Sequence, residues 1–227
     1  MILSIETATS NCSVALHAMD GTLLALAEKN APNIHASQLF LFIAEVMKAL
    51  PNGNQDLKAI AVGKGPGSYT GLRIGVSAAK GLCYSLNIPL LSVNTLQAMA
   101  FTARNQIQEK NILFVPMLDA RRMEVYNAVF NEELETLIET RASIIDESGF
   151  EVDKDKTCCF FGDGMPKCKT ILSQQNNAIF IDDLLASAEA IGPLALKKFQ
   201  ANNFEDTAYF EPFYLKEFVS QSQFHKK

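Results

Sequence analysis

The chain has 227 residues, 48% of them hydrophobic and 20% charged, with a formal net charge of -5. That is the balance of a soluble globular protein, one large domain or two small ones. An acidic chain with scattered Lys/Arg pairs (Arg121-Arg122, Lys197-Lys198, Lys226-Lys227) is a poor lone ligand for nucleic acid.

Five cysteines (Cys12, Cys83, Cys158, Cys159, Cys168) carry no C-x-x-C spacing, and their odd number argues against a disulfide framework. Reduced, mostly buried thiols in a cytoplasmic protein are expected. Glu6 interrupts the first apolar run and no basic residue precedes it, which speaks against a signal peptide. The longest apolar run, Leu39 to Ala44, is too short to span a bilayer.

Met1 to Thr7 reads as an apolar strand. Asn11 to Ala18 alternates, with Cys12, Val14 and Leu16 on one face and Ser13, Ala15 and His17 on a polar, exposed one. Asp20-Gly21 is a hairpin turn and Thr22 to Lys29 the third strand. A helix from Ala36 to Leu50 precedes Pro51-Asn52-Gly53; Leu57 to Gly63 is a strand, Gly71 to Ser85 a helix, Pro89 to Val93 a strand and Thr95 to Asn105 a helix.

The second half repeats the order loosely. Strands are predicted at Asn111 to Asp119, Glu124 to Phe130 and Glu135 to Arg141, the last two joined by a tight turn at Asn131-Glu132. A strand at Cys158 to Gly162, a helix from Met165 to Leu172, a strand at Ala178 to Ile181 and a helix from Leu184 to Gln200 follow. The order β-β-β-α-β-α used twice predicts an α/β protein with the two-lobed, duplicated actin/Hsp70/sugar-kinase (ASKHA) fold, each lobe a mixed sheet with flanking helices. The lobes are placed at residues 1–105 and 106–227. The aromatic tail (Phe204, Tyr209, Phe210, Phe213, Tyr214, Phe218) is expected to pack back on the body.

The stretch Gly63-Lys64-Gly65-Pro66-Gly67-Ser68-Tyr69-Thr70-Gly71-Leu72-Arg73 is the strongest local signal. It is neither a P-loop, because Gly71 is followed by Leu72-Arg73, nor a dinucleotide fingerprint, because Ser68 stands where the third glycine belongs. Two readings remain: an anion held by backbone amides at a helix start, or close packing against backbone or a partner. The turn Glu6-Thr7-Ala8-Thr9-Ser10 sits where the superfold usually carries an aspartate and a glycine around a nucleotide phosphate; with Glu6 and Ala8 there, it reads as a relic phosphate loop (Glu6, Thr7, Thr9, Ser10). Asp119-Ala120-Arg121-Arg122-Met123-Glu124 is either a hairpin with cross-strand ion pairs or a polar wall of the cleft between lobes.

Three histidines, His17, His35 and His225, limit metal chemistry. A helical pair needs i and i+4, and His35 is followed there by Leu39. No metal site, catalytic residue or cofactor is predicted. The first long helix carries too much apolar surface for one stripe, and the second is rich in small residues. Ordinary core packing is one account. The other is a docking face made of Phe40, Leu41, Ala44 and Lys48 with Ile74, Ala78, Gly81 and Ser85.

Gly65, Gly67, Ser68, Thr70, Gly71 and Arg73, with Asp119, Arg121 and Glu124, with Ile5-Glu6-Thr7-Ala8 and with the late Pro212-Phe213-Tyr214-Leu215-Lys216, resemble the bacterial TsaB family, formerly YeaZ. The resemblance covers nearly the whole chain. It implies a part in making N6-threonylcarbamoyladenosine at position 37 of tRNAs that read ANN codons, as a non-catalytic subunit of the transferase TsaD. It also implies that metal and threonylcarbamoyl-adenylate sit on TsaD and ATP on the ATPase TsaE. The tRNA would be met indirectly through the complex, and a homodimer would form when TsaB is alone. TsaD carries a His-x-x-x-His motif whose counterparts here are His35 and Leu39. Rival readings are an ATPase or kinase of the superfold, a metallopeptidase, and a direct tRNA-binding module.

Overall fold

A computed structural model describes residues 1–107, 109–146, 150, 156–175 and 177–216. Phe218, His225 and Lys226-Lys227, named above, lie outside the described residues. The chain opens with β1 (Ile2–Glu6), β2 (Asn11–His17) and β3 (Leu23–Asn30), then α1 (His35–Val46), β4 (Ala59–Gly63), α2 (Tyr69–Leu86), β5 (Leu90–Val93) and α3 (Thr95–Gln106). It continues with β6 (Ile112–Asp119), β7 (Glu124–Phe130), β8 (Thr136–Ile144), β9 (Thr157–Phe161), α4 (Lys169–Leu172), β10 (Ala178–Ile181) and α5 (Ala188–Gln200).

The two five-stranded sheets have the same topology. The first runs β3-β2-β1-β4-β5 and the second β8-β7-β6-β9-β10. In each, the opening strand is central, pairs antiparallel with the second strand and parallel with the fourth. The duplicated ASKHA architecture expected from the element order is therefore present.

The central strands are buried on both faces, so they read as mainly apolar runs, with Ser4 and Glu6 the buried polar residues of β1. Their alternation distributes side chains between different cores. Leu3 and Ile5 of β1 point to an outer core with α1 and α2, whereas Ile2 points to a middle core. In β6, Ile112, Phe114 and Leu118 join that middle core, while Leu113, Val115 and Met117 face a second outer core with Phe160, Cys168 and Leu172. Helices α3 and α5 fill the middle layer between the sheets, with Leu96, Met99, Ile191 and Ala195 among its buried residues. Helix α5 packs on β1, β2, β4 and β5, and α3 packs on β6 and against α5.

That placement corrects the reading of His17. It lies on the β2 face opposite Val14, as the alternation requires, but α5 covers that face and the imidazole is buried. Gly192 makes the room: a β-carbon there would be 2.1 Å from His17 Nδ1. Pro193, inside α5, has no N–H to give to the carbonyl four residues back, Glu189. The His17 ring hydrogen-bonds to that carbonyl instead.

Other boundaries shift for local reasons. Helix α1 starts at His35, one residue earlier than expected, and its last turn tightens to a 3-10 turn at Met47–Ala49. Helix α5 starts at Ala188 rather than Leu184, because extended Ser187 is its N-cap and accepts from the Glu189 amide. The expected helix at Met165 to Leu172 is a 3-10 turn at Pro166–Cys168 running into α4. The β7–β8 turn is longer than two residues: Asn131 Oδ1 accepts from the amides of Glu133 and Glu135, and Leu134 is left-handed.

Candidate functional site

The glycine-rich segment and the β1–β2 turn are built against each other. A β-carbon at Gly67 would sit 2.3 Å from the Ala8 carbonyl, at Gly71 2.1 Å from the Thr7 carbonyl, and at Gly75 2.2 Å from Thr7 Oγ1. These glycines let the segment and the start of α2 close over backbone. Gly65 is left-handed (φ +100°) and precedes a cis Pro66. Ser68 then caps α2 by accepting from the Gly71 amide at 3.3 Å. Close packing, of the two readings left open above, is what the geometry contains.

Glu6 is fully buried. Its Oε1 accepts from the Thr7 and Ala8 amides, both at 2.8 Å, and its Oε2 from the Thr95 hydroxyl at 3.0 Å. Burial pushes its carboxyl above the usual range, against the pull of those three hydrogen bonds. Two of the backbone donors that could cradle a phosphate at this turn, the Thr7 and Ala8 amides, are therefore taken by the chain's own carboxylate. Thr7 is buried under α2, Thr9 is nearly buried, and Ser10 alone of the four loop residues is open.

Across from this turn lies the start of the β6–β7 hairpin. Arg121 and Arg122 are both left-handed, with φ of 71° and 51°. Asp119 accepts from the Arg121 amide at 2.9 Å and pairs with Lys167; Lys167 also donates to the Glu124 carbonyl at 2.7 Å. Glu124 pairs with Lys216. The expected ion pairs within the hairpin are thus replaced by lysines from the 3-10 turn before α4 and from the tail. Asp163, whose carboxyl burial pushes up, accepts from the Asp119 amide at 3.0 Å.

Between the two walls is a cleft of about 550 Å³, lined by Thr9, Ser10, Ser68 and Thr70 on one side, Asp119, Arg121 and Asp163 on the other, and Tyr214 to Lys216 at its edge. Asp119 and Arg121 thus line the cleft. Arg73 lies outside it on α2, stacked 4.2 Å over the Tyr69 ring and donating to the Tyr214 hydroxyl at 3.3 Å. Lys167, Asp163 and Thr95 carried no sequence signal, since no motif links residues so far apart in the chain.

The two described histidines serve different elements, His17 facing α5 and His35 starting α1. His35 opens α1, and burial holds its imidazole below the usual range. Four residues on, Leu39 is fully buried in the outer core. Among the described residues no group of three or more His, Cys, Asp or Glu is arranged to hold a metal ion.

The outer surface of α1 and α2 is the other feature. Phe40 and Leu41 are each 60% exposed and Tyr84 is 88% exposed. Ala44, Lys48, Gly81 and Ser85 are exposed, and nothing lies within 4 Å of a β-carbon at Gly81. Ile74 is half-buried. Ala78 is buried in the outer core, beneath the face rather than on it, because α1 packs on α2 there. Tyr84 was missed, although its spacing from Gly81 already put it on the same exposed side.

A family model described as TsaD, tRNA N6-adenosine threonylcarbamoyltransferase, matches residues 28–221. A protein of Escherichia coli (strain K12) named tRNA threonylcarbamoyladenosine biosynthesis protein TsaB is 31% identical over 96% of both chains. The chain belongs to the TsaB family. The structure of YeaZ from Pseudomonas aeruginosa superposes on this TsaB-family chain with a TM-score of 0.79 at 25% identity, covering 94% of this chain and 99% of that one. An activator of 2-hydroxyisocaproyl-CoA dehydratase from Clostridium difficile, with bound ADPNP, shares the fold alone, at a TM-score of 0.52 and 7% identity over 88% of this chain and 96% of that one. Among the described residues no helix of this family member is long and apolar enough to cross a membrane.

Proposed function

We propose that the chain acts in N6-threonylcarbamoyladenosine formation on tRNA as a non-catalytic subunit that docks on a TsaD-type transferase through the α1–α2 face. One observation carries the reading. Three large apolar side chains, Phe40, Leu41 and Tyr84, are open to water on two adjacent helices, beside a glycine with free space above it. Exposed apolar surface of this kind marks an interaction site. The enclosed Glu6 carboxylate and the buried Leu39 beside His35 support a chain without phosphate-loop or metal chemistry of its own.

In this reading the metal and threonylcarbamoyl-adenylate reside on the TsaD-type subunit and ATP on a TsaE-type ATPase. The modified adenosine 37 belongs to tRNAs reading ANN codons, and tRNA is met through the assembly. A homodimer uses the same face when the partner is missing. The test is Gly81→Arg. Space above Gly81 lets the variant fold, so its melting temperature stays near that of the parent while calorimetric affinity for a TsaD-type transferase falls at least about tenfold. Unchanged affinity overturns the placement.

The cleft favours a second reading, residual nucleotide binding. Its size falls in the range of small-molecule sites, and Thr9, Ser10, Ser68 and Thr70 offer it hydroxyls. Titration of the isolated chain with Mg-ATP separates the two, since the docking role needs no heat of binding there.

A further inference from the structure

After α5 the chain runs back over the first lobe as a strap. The Glu205 amide donates to the Leu90 carbonyl at 2.9 Å and its carboxylate accepts from Ser92. Lys80 of α2 donates to the carbonyls of Ala208 and Phe210, both at 3.0 Å, and the Phe210 ring packs on the outer core. The Phe213 amide donates to the Lys64 carbonyl at 2.8 Å. The Tyr214 ring lies 4.7 Å from that of Tyr69, and its hydroxyl takes the Arg73 hydrogen bond. Every one of these anchors is on the first lobe.

Two residues later the strap crosses over. Lys216 pairs with Glu124 of β7, in the second sheet. The two sheets are joined by the middle core, which contains residues of both together with α3 and α5. Rotation of one lobe against the other must then open the mouth of the cleft first, where the strap spans it.

We infer that the Tyr214–Lys216 end of the strap is a latch that holds the lobes closed over the cleft, and that it opens when the Lys216–Glu124 pair parts. Tyr214 fixes the latch to the first lobe through Tyr69 and Arg73; Lys216 fixes it to the second. The device belongs to the chain by itself and does not depend on the docking role. Because Arg73 lies on α2, it also links that helix to the cleft mouth.

Nitroxides at Gln55→Cys and Ser173→Cys, both exposed and on opposite lobes, report the opening in the full chain; the five native cysteines are buried and escape labelling. Lys216→Glu sets like charges together. It should raise the long-distance population by up to about fivefold, the upper end for an exposed ion pair. The swap Lys216→Glu with Glu124→Lys should restore the parent distribution. Tyr214→Ala should also lengthen the distances, by freeing the anchor. A melting curve confirms that each variant is folded, and Lys216→Gln, which removes the charge alone, carries the test if the reversal unfolds the chain. An unchanged distribution in the Lys216 and Tyr214 variants, or a swap that fails to restore it, overturns the latch.

Discussion

Gly71 and Gly81 stand on the same helix with opposite surroundings. At Gly71 an added methyl meets the Thr7 carbonyl, which belongs to a turn already held by Glu6 and cannot step aside. At Gly81 it meets nothing. Gly71→Ala is therefore expected to destabilise by about 2–3 kcal/mol through overpacking. Gly81→Ala should stabilise by about 0.5–1 kcal/mol, since alanine restrains the unfolded chain and suits a helix interior. Urea unfolding of the two variants checks this; equal effects would contradict it. The need for small residues here was readable from sequence. What they make room for was not: the spacing suggests another helix, whereas Gly67, Gly71 and Gly75 receive a turn some 60 positions earlier in the chain.

How α5 seats on β2 has a consequence for pH. Burial holds the imidazoles of both His17 and His35 below the usual value of 6.5, so the unfolded chain takes up their protons first. Stability is insensitive to these groups well above pH 6.5. It falls as the pH drops below 6.5 towards their depressed folded values. His17→Gln keeps a donor for the Glu189 carbonyl and cannot titrate. Melting temperatures measured from about pH 8 to about pH 5.5 should fall less steeply for this variant than for the parent, the difference being the His17 contribution. An identical slope would show that His17 stays accessible to protons. Alternation along Asn11–His17 correctly sorted the side chains into two faces, but it could not say that the second face is covered. The covering helix lies far along the chain, and its fit depends on Gly192 and Pro193, which look like helix breakers when read locally.

For the whole molecule, the middle core decides cooperativity. Ile2, Ala61 and Leu91 of the first sheet share it with Phe114, Phe130 and Phe161 of the second. A boundary drawn between two independently folding lobes would cut through buried side chains. Chemical denaturation should accordingly give one transition, with tyrosine fluorescence and far-UV circular dichroism coinciding. Two separated transitions would mean that the shared layer contributes little. The repeated β-β-β-α-β-α order made the paired sheets legible from sequence, because each strand run announces itself locally. The sharing of α3 and α5 between them was not legible, since it rests on contacts between distant segments that no period encodes.

The covering of the first sheet by α5 also bears on how the chain is made. A ribosome releases residues 1–106 long before residues 188–216, so the inner faces of β1, β4 and β5 emerge with nothing to cover them. The first half must wait, apolar side open, until synthesis has delivered a helix from far downstream.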